Sequence, residues 1–195
     1  CAIAAATAKA MEERVSYIQV IEAGIYGARE GYRKAQPIAK PVAGANVEKK
    51  IGLAVEIGLR RAGDFEGAMN EISDIIGGGL YAYEAIPAAF GHIAACGGRV
   101  MDSILMGVNA GDDTDTVACM TGFIVGALGG AGQIPAKHLT TIDTLNGFDL
   151  KWMTIGVFQD AGISGQPDCG RAGRIERGYR DDDRRTGLGS IARDA

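Results

Sequence analysis

Asn109-Ala-Gly-Asp-Asp-Thr-Asp-Thr116, running directly into the apolar stretch Val117 to Leu128, holds three carboxylates and two threonine hydroxyls within five residues. The change from polar break to apolar run predicts a helix over Thr114–Leu128, with Asp113 near its cap and Asp115 and Thr116 in its first turn. Mid-helix, residues two apart point to different sides. At the bend where a chain enters a helix, such neighbours can converge. Two readings stay open on the residues alone. Acids at a helix start are favoured by capping and by the macrodipole, together worth about 1 kcal/mol, and one Asp suffices for that. Three carboxylates so close repel one another, and a bound cation removes the repulsion. Every donor on offer is an oxygen, so the cation would be hard: magnesium, manganese or calcium.

Outward from this stretch the pattern is helical almost throughout. Gly122, Gly126 and Gly130 fall four apart and form a bare stripe that would let another helix come very close. Upstream, alanine-rich Cys1–Glu13 reads as helix, and Val15–Lys34 carries Ile18, Ile21, Ile25 and Tyr26 at helical spacing. Pro37 and Pro41 make a loop. Asn46 caps a helix over Val47–Ala62, and Asp64 caps another over Phe65–Ile76. Gly77-Gly78-Gly79 breaks the chain before Leu80–Cys96, in which Pro87 predicts a kink. Val100–Val108 and Pro135–Leu145 complete the helices. Trp152–Phe158 reads as a strand or a helix end. From Asp160 on the chain holds seven arginines, seven acids and no lysine, which suits a solvated tail or a segment ordered against a partner. The expected architecture is all-α, with a helical domain over 1–150 and a Gly/Arg/Asp-rich extension over 151–195.

Composition removes several classes. With 195 residues, 47% hydrophobic and 23% charged, the chain is globular and long enough for a core. A net charge of −4 argues against a nucleic-acid partner. Val117–Leu128 is about half a membrane span, so no membrane partner is expected either. Cys1, Cys96, Cys119 and Cys169 are scattered without a Cys-x-x-Cys pair, so neither a disulfide scaffold nor a zinc site is expected, and a reducing cytoplasm is the default location.

Gly77-Gly-Gly-Leu-Tyr-Ala-Tyr-Glu-Ala-Ile-Pro87, a helix, Gly111-Asp-Asp-Thr-Asp-Thr116, an apolar Gly/Ala helix and Ile134-Pro135 together resemble the C-terminal half of the ADP-ribosylglycohydrolase family. The resemblance covers Cys1 to Leu145. It implies an orthogonal all-α bundle with a site for two Mg2+ or Mn2+, and hydrolysis of a ribosyl glycosidic bond in an ADP-ribosylated protein or a related small substrate. It also implies that Asp113, Asp115 and Thr116 are metal ligands. Many members have glycine where this chain has Asp112, which is read as a surface acid in preference to a group behind the ligands. The family's other metal motif, of Thr-Asp-Asp type, and its early acidic residue are not in this chain. The expectation is half of a dinuclear site, in a bundle incomplete without an upstream segment. An N-terminal fragment of the same precursor, or a segment lost by truncation, would supply the rest.

The remaining candidates are weaker. The Gly77–Gly79 run is either a helix terminator or a backbone loop approaching ribose or phosphates, since glycines expose amides to anions. In the second case Gly78, Gly79 and Tyr81 would contact substrate, with Tyr83 on the pocket wall and Glu84 supporting it. Cys1 is a processing scar, the product of an arbitrary cut, or a self-activated N-terminal nucleophile. That nucleophile resembles those of an αββα sandwich, for which this chain has no strands. His92 reads as a core or rim histidine and His138 as a surface one. The alternative to an enzyme is a crystallin-like helical protein without chemistry.

Overall fold

The computed structural model describes residues 1–40, 43–150 and 153. Among them every regular element is helical, so the all-α expectation holds. The elements are α1 Ala2–Ala10, α2 Tyr17–Ala35, α3 Val47–Arg60, α4 Phe65–Ile75, α5 Ala82–Ala95, α6 Val100–Asn109, α7 Thr114–Gly129, a 3-10 turn Ala131–Gln133 and α8 Ala136–Asn146. The strand or helix end expected at Trp152–Phe158 and the tail from Asp160 fall outside the described residues, Met153 apart. The chain divides into two compact units, one holding 1–129 and the other beginning at Gly130.

Local chemistry explains the helix starts. Asn46 Oδ1 accepts the Lys49 N–H at 3.0 Å, and Asp64 Oδ1 accepts the Gly67 N–H at 3.0 Å. Ser16 caps α2 reciprocally: its hydroxyl accepts from the Gln19 N–H while the Gln19 side chain accepts from the Ser16 N–H. α1 stops at Ala10, short of the expected Glu13. Glu12 and Glu13 would place negative charge at a helix C-terminus, where the dipole opposes it, and Arg14 turns the chain with φ 58°.

In the first unit, α5 is the central element. Every residue from Pro87 through Cys96 is buried, as expected of a helix packed on all sides. Pro87 lies inside α5, which is one continuous helix from Ala82 to Ala95. The core gathers Ala54 and Ile57 of α3, Ala68 and Ile72 of α4, Ala88 and Ala89 of α5, Met106 of α6 and Val117 of α7. Ion pairs support the outer surface. Glu71 bridges Arg60 and Arg61 between α4 and the end of α3, and Arg29 of α2 meets Glu48 of α3 at 2.7 Å.

The close helix approaches are not where the glycine stripe placed them. Among the described residues a Cβ at Gly126 or Gly130 would meet nothing within 4 Å, and one at Gly122 would only touch Ile104 at 3.9 Å. The four-residue spacing defines a face but not what lies opposite. Tight contact occurs instead at Gly107 of α6, where a Cβ would come 3.1 Å from Ala118 Cα, and between α3 and α5 at Gly58 and Gly91.

Candidate functional site

The acidic turn sits where α7 begins. The Asp113 carbonyl accepts the first helical hydrogen bond, from the Val117 N–H at 3.1 Å, so Asp113 occupies the cap position with Asp115 and Thr116 in the first turn. Asp115 and Thr116 are exposed and Asp113 is half-buried. Asp112 is exposed and adopts the left-handed region with φ 60°, following Gly111 at φ 82°. The Thr114 N–H donates back to the Asp112 carbonyl at 2.9 Å, which winds the turn tightly.

The glycine loop lies against this turn. The Asp113 N–H donates to the Gly78 carbonyl at 3.1 Å. Gly78 and Gly79 are both buried, and a Cβ at Gly79 would lie 2.7 Å from Glu84 Oε2 and 2.9 Å from Asp112 Oδ2. The carboxylates of Glu84 and Asp112 therefore come together over Gly79. The loop's entry is fixed by Gly77, at φ 87°, whose N–H caps α4 through the Ile72 and Ser73 carbonyls. Lys50 Nζ donates to the Ile76 carbonyl at 2.7 Å and stands 5.5 Å from the Tyr83 ring centroid. Tyr81 is exposed and stacks on half-buried Tyr83, with centroids 5.1 Å apart and planes within 5°. Burial, reinforced by the charge of Glu84, pushes the Tyr83 phenol above its ordinary pKa.

The structure thus brings Gly78, Gly79, Asp112, Asp113 and Glu84 together, with Tyr81 a short step along the chain from Glu84. Among the described residues no three His, Cys, Asp or Glu side chains converge to hold a metal. The donors at the turn are all oxygens, which suits a hard cation, but Asp113, Asp115 and Thr116 offer fewer ligands than the roughly six positions that Mg2+ demands. The meeting of Asp112 with Glu84 is not legible in the sequence. Its only local signal is the run of glycines, which says that space is needed but not for what.

Cys1 is exposed at the start of α1. It lines a cleft of about 530 Å³ with Gly31, Tyr32, Asn46, Tyr83 and Ile86. The sheets that an N-terminal nucleophile of the αββα type would need are not found among the described residues. His92 is fully buried in α5 with both ring nitrogens unpartnered, and burial lowers its pKa to about 4. It is a core histidine, and His138 is exposed. Among the described residues no helix is long and apolar enough to cross a membrane.

A model of the ADP-ribosylglycohydrolase family matches residues 1–157. A stretch of 106 residues is 26% identical to the uncharacterized protein YegU of Escherichia coli (strain K12), covering 54% of this chain and 31% of that protein. The chain therefore spans about a third of the length of this curated relative. No solved structure matches significantly. The family match takes in most of the chain, including the glycine loop and the acidic turn, and the chain belongs to the ADP-ribosylglycohydrolase family.

Proposed function

We propose that this chain supplies the Asp113, Asp115 and Thr116 portion of a dinuclear Mg2+ or Mn2+ site in a hydrolase of ribosyl glycosidic bonds. The observation that carries the reading is the place of Asp113: it stands half-buried at the start of α7 with its backbone pinned to the Gly78 carbonyl, next to exposed Asp115 and Thr116. Membership of a family that typically depends on two metal ions supports the same reading.

Asp113 and Asp115 would hold the ions from the turn, with Thr116 adding its hydroxyl. Bound divalent ions supply orientation of substrate hydroxyls and a lowered pKa for a water. Gly78, Gly79 and Tyr81 would contact the substrate beside the turn. An acidic group assists departure of the leaving group in such chemistry, and in our reading that group lies outside this sequence. So do the remaining metal ligands, contributed by an N-terminal fragment of the same precursor. Substrates in this reading are an ADP-ribosylated protein or a small ribosyl compound, and the compartment is the cytoplasm.

The experiment is hydrolysis of an ADP-ribosylated arginine or serine peptide, with intact masses recorded for every polypeptide in the preparation. Turnover that requires Mg2+ or Mn2+ and disappears in Asp113→Ala supports the reading. Metal-independent turnover, or turnover unchanged in Asp113→Ala, contradicts it. A second reading is a crystallin-like helical protein without chemistry. Under it, Asp113→Ala changes neither metal binding nor activity.

A further inference from the structure

The glycine loop and the acidic turn touch at Gly79, and the two buried glycines of that loop differ in what surrounds them. A Cβ at Gly78 would find Gly111 O at 3.5 Å and Asp112 Cβ at 4.0 Å, which is ordinary contact. A Cβ at Gly79 would collide with Glu84 Oε2 at 2.7 Å and Asp112 Oδ2 at 2.9 Å. Neither glycine has a positive φ, so alanine at either position is a question of space and not of backbone strain. We infer that Gly79 is a positioning residue. By leaving room for the Asp112 carboxylate it sets the turn that presents Asp113, while the Gly78 carbonyl fixes the same turn through the Asp113 amide.

The route of the effect follows from the geometry. Glu84 and Asp112 meet Gly79 with the ends of their side chains, so an added methyl group displaces those ends and spares the core. Glu84 reaches Gly79 from the first turn of α5 and yields without moving the acidic turn. Asp112 belongs to the turn itself, already wound with positive φ at two successive residues. Whatever part of the displacement its side chain does not absorb by rotation is therefore passed to the backbone that carries Asp113. The inference deepens the metal-site reading and rests on it only where metal is the readout.

The test is amide hydrogen exchange on the full chain, read at Asp113 and, as an internal reference, at Phe90 and Ile93 of α5. Gly79→Ala is expected to speed exchange at Asp113 about tenfold while leaving the α5 amides unchanged. Adding Asp112→Gly, which removes the colliding side chain and tolerates φ 60°, is expected to restore the wild-type rate. Gly78→Ala is expected to leave the rate unchanged. Unaltered exchange in Gly79→Ala, no recovery in the double variant, or an equal effect from Gly78→Ala overturns the inference. Should Gly79→Ala alone fail to fold, a folded double variant with a protected Asp113 amide supports it, and an unfolded double variant overturns it. Titration with MnCl2 separates the two layers. Loss of about tenfold in Mn2+ affinity in Gly79→Ala supports the inference at the metal level, and unchanged affinity overturns it there. Absence of Mn2+ binding by the wild-type chain defeats the metal reading alone, and the amide exchange still decides the positioning role.

Discussion

Gly58 of α3 and Gly91 of α5 face each other so closely that a Cβ on Gly58 would stand 2.4 Å from the Gly91 carbonyl oxygen. The same Cβ would lie 2.9 Å from the Ala95 nitrogen. Both obstacles are backbone, which cannot swing aside as a side chain does. Gly58→Ala is therefore expected to destabilise the fold by about 2–3 kcal/mol, read as a lower denaturant midpoint with an unchanged slope.

Gly126 of α7 gives the opposite expectation. It lies inside a helix, and a Cβ there would meet nothing within 4 Å among the described residues. Gly126→Ala is expected to stabilise by up to about 1 kcal/mol through helix propensity. Thermal unfolding of the two alanine variants side by side checks the assignment of close contact to α3 and α5.

His92 ties stability to pH. Its folded pKa, about 4, lies below the ordinary value of about 6.5, so the unfolded chain binds the extra proton first as pH falls. Stability from this group is full above about pH 6.5 and is lost progressively down to about pH 4, by about 3 kcal/mol at most. Carboxylates titrate in the same range, so the quantity to measure is the difference between wild type and His92→Leu. That difference is expected to move in favour of the leucine variant as pH drops from about 7 to about 4.

The three cysteines among the described residues divide by burial. Cys96 is buried beside Met106, with the sulfurs 3.7 Å apart, and burial pushes its thiol up to about 12. Cys1 and Cys119 are exposed. A thiol reagent at about pH 8 is expected to label Cys1 and Cys119 in the folded protein and to reach Cys96 only after denaturation, as read by peptide mass spectrometry.

Much of the fold is legible because helix starts are written locally. Asn46 and Asp64 stand directly before apolar stripes, and both offer an oxygen to the first turn as expected. Ser16 and Gln19 carry an equally local signature, a capping box, which an apolar stripe opening at Val15 masks. The end of α1 is harder to place, because alanine favours helix so strongly that it hides the weight of the two acids at Glu12 and Glu13. The glycine stripe of α7 misleads for a different reason: spacing along one helix carries no information about its neighbour. The same gap hides the junction at Gly79. Gly77–Gly79 and Asp112–Asp113 each stand out in the sequence, but only packing shows that the Gly78 carbonyl holds the Asp113 amide.

The central claim is that the turn at 113–116 grips a divalent ion, and the most direct measurement is paramagnetic broadening of backbone amide signals by sub-stoichiometric MnCl2. The account predicts selective loss of the Asp113, Asp115 and Thr116 signals in the wild-type chain, with their neighbours at Gly78 and Gly79 also broadened. Asp113→Ala is predicted to abolish that pattern while leaving the α5 signals in place. Broadening that is absent, spread evenly over surface acids, or unchanged in Asp113→Ala would contradict it.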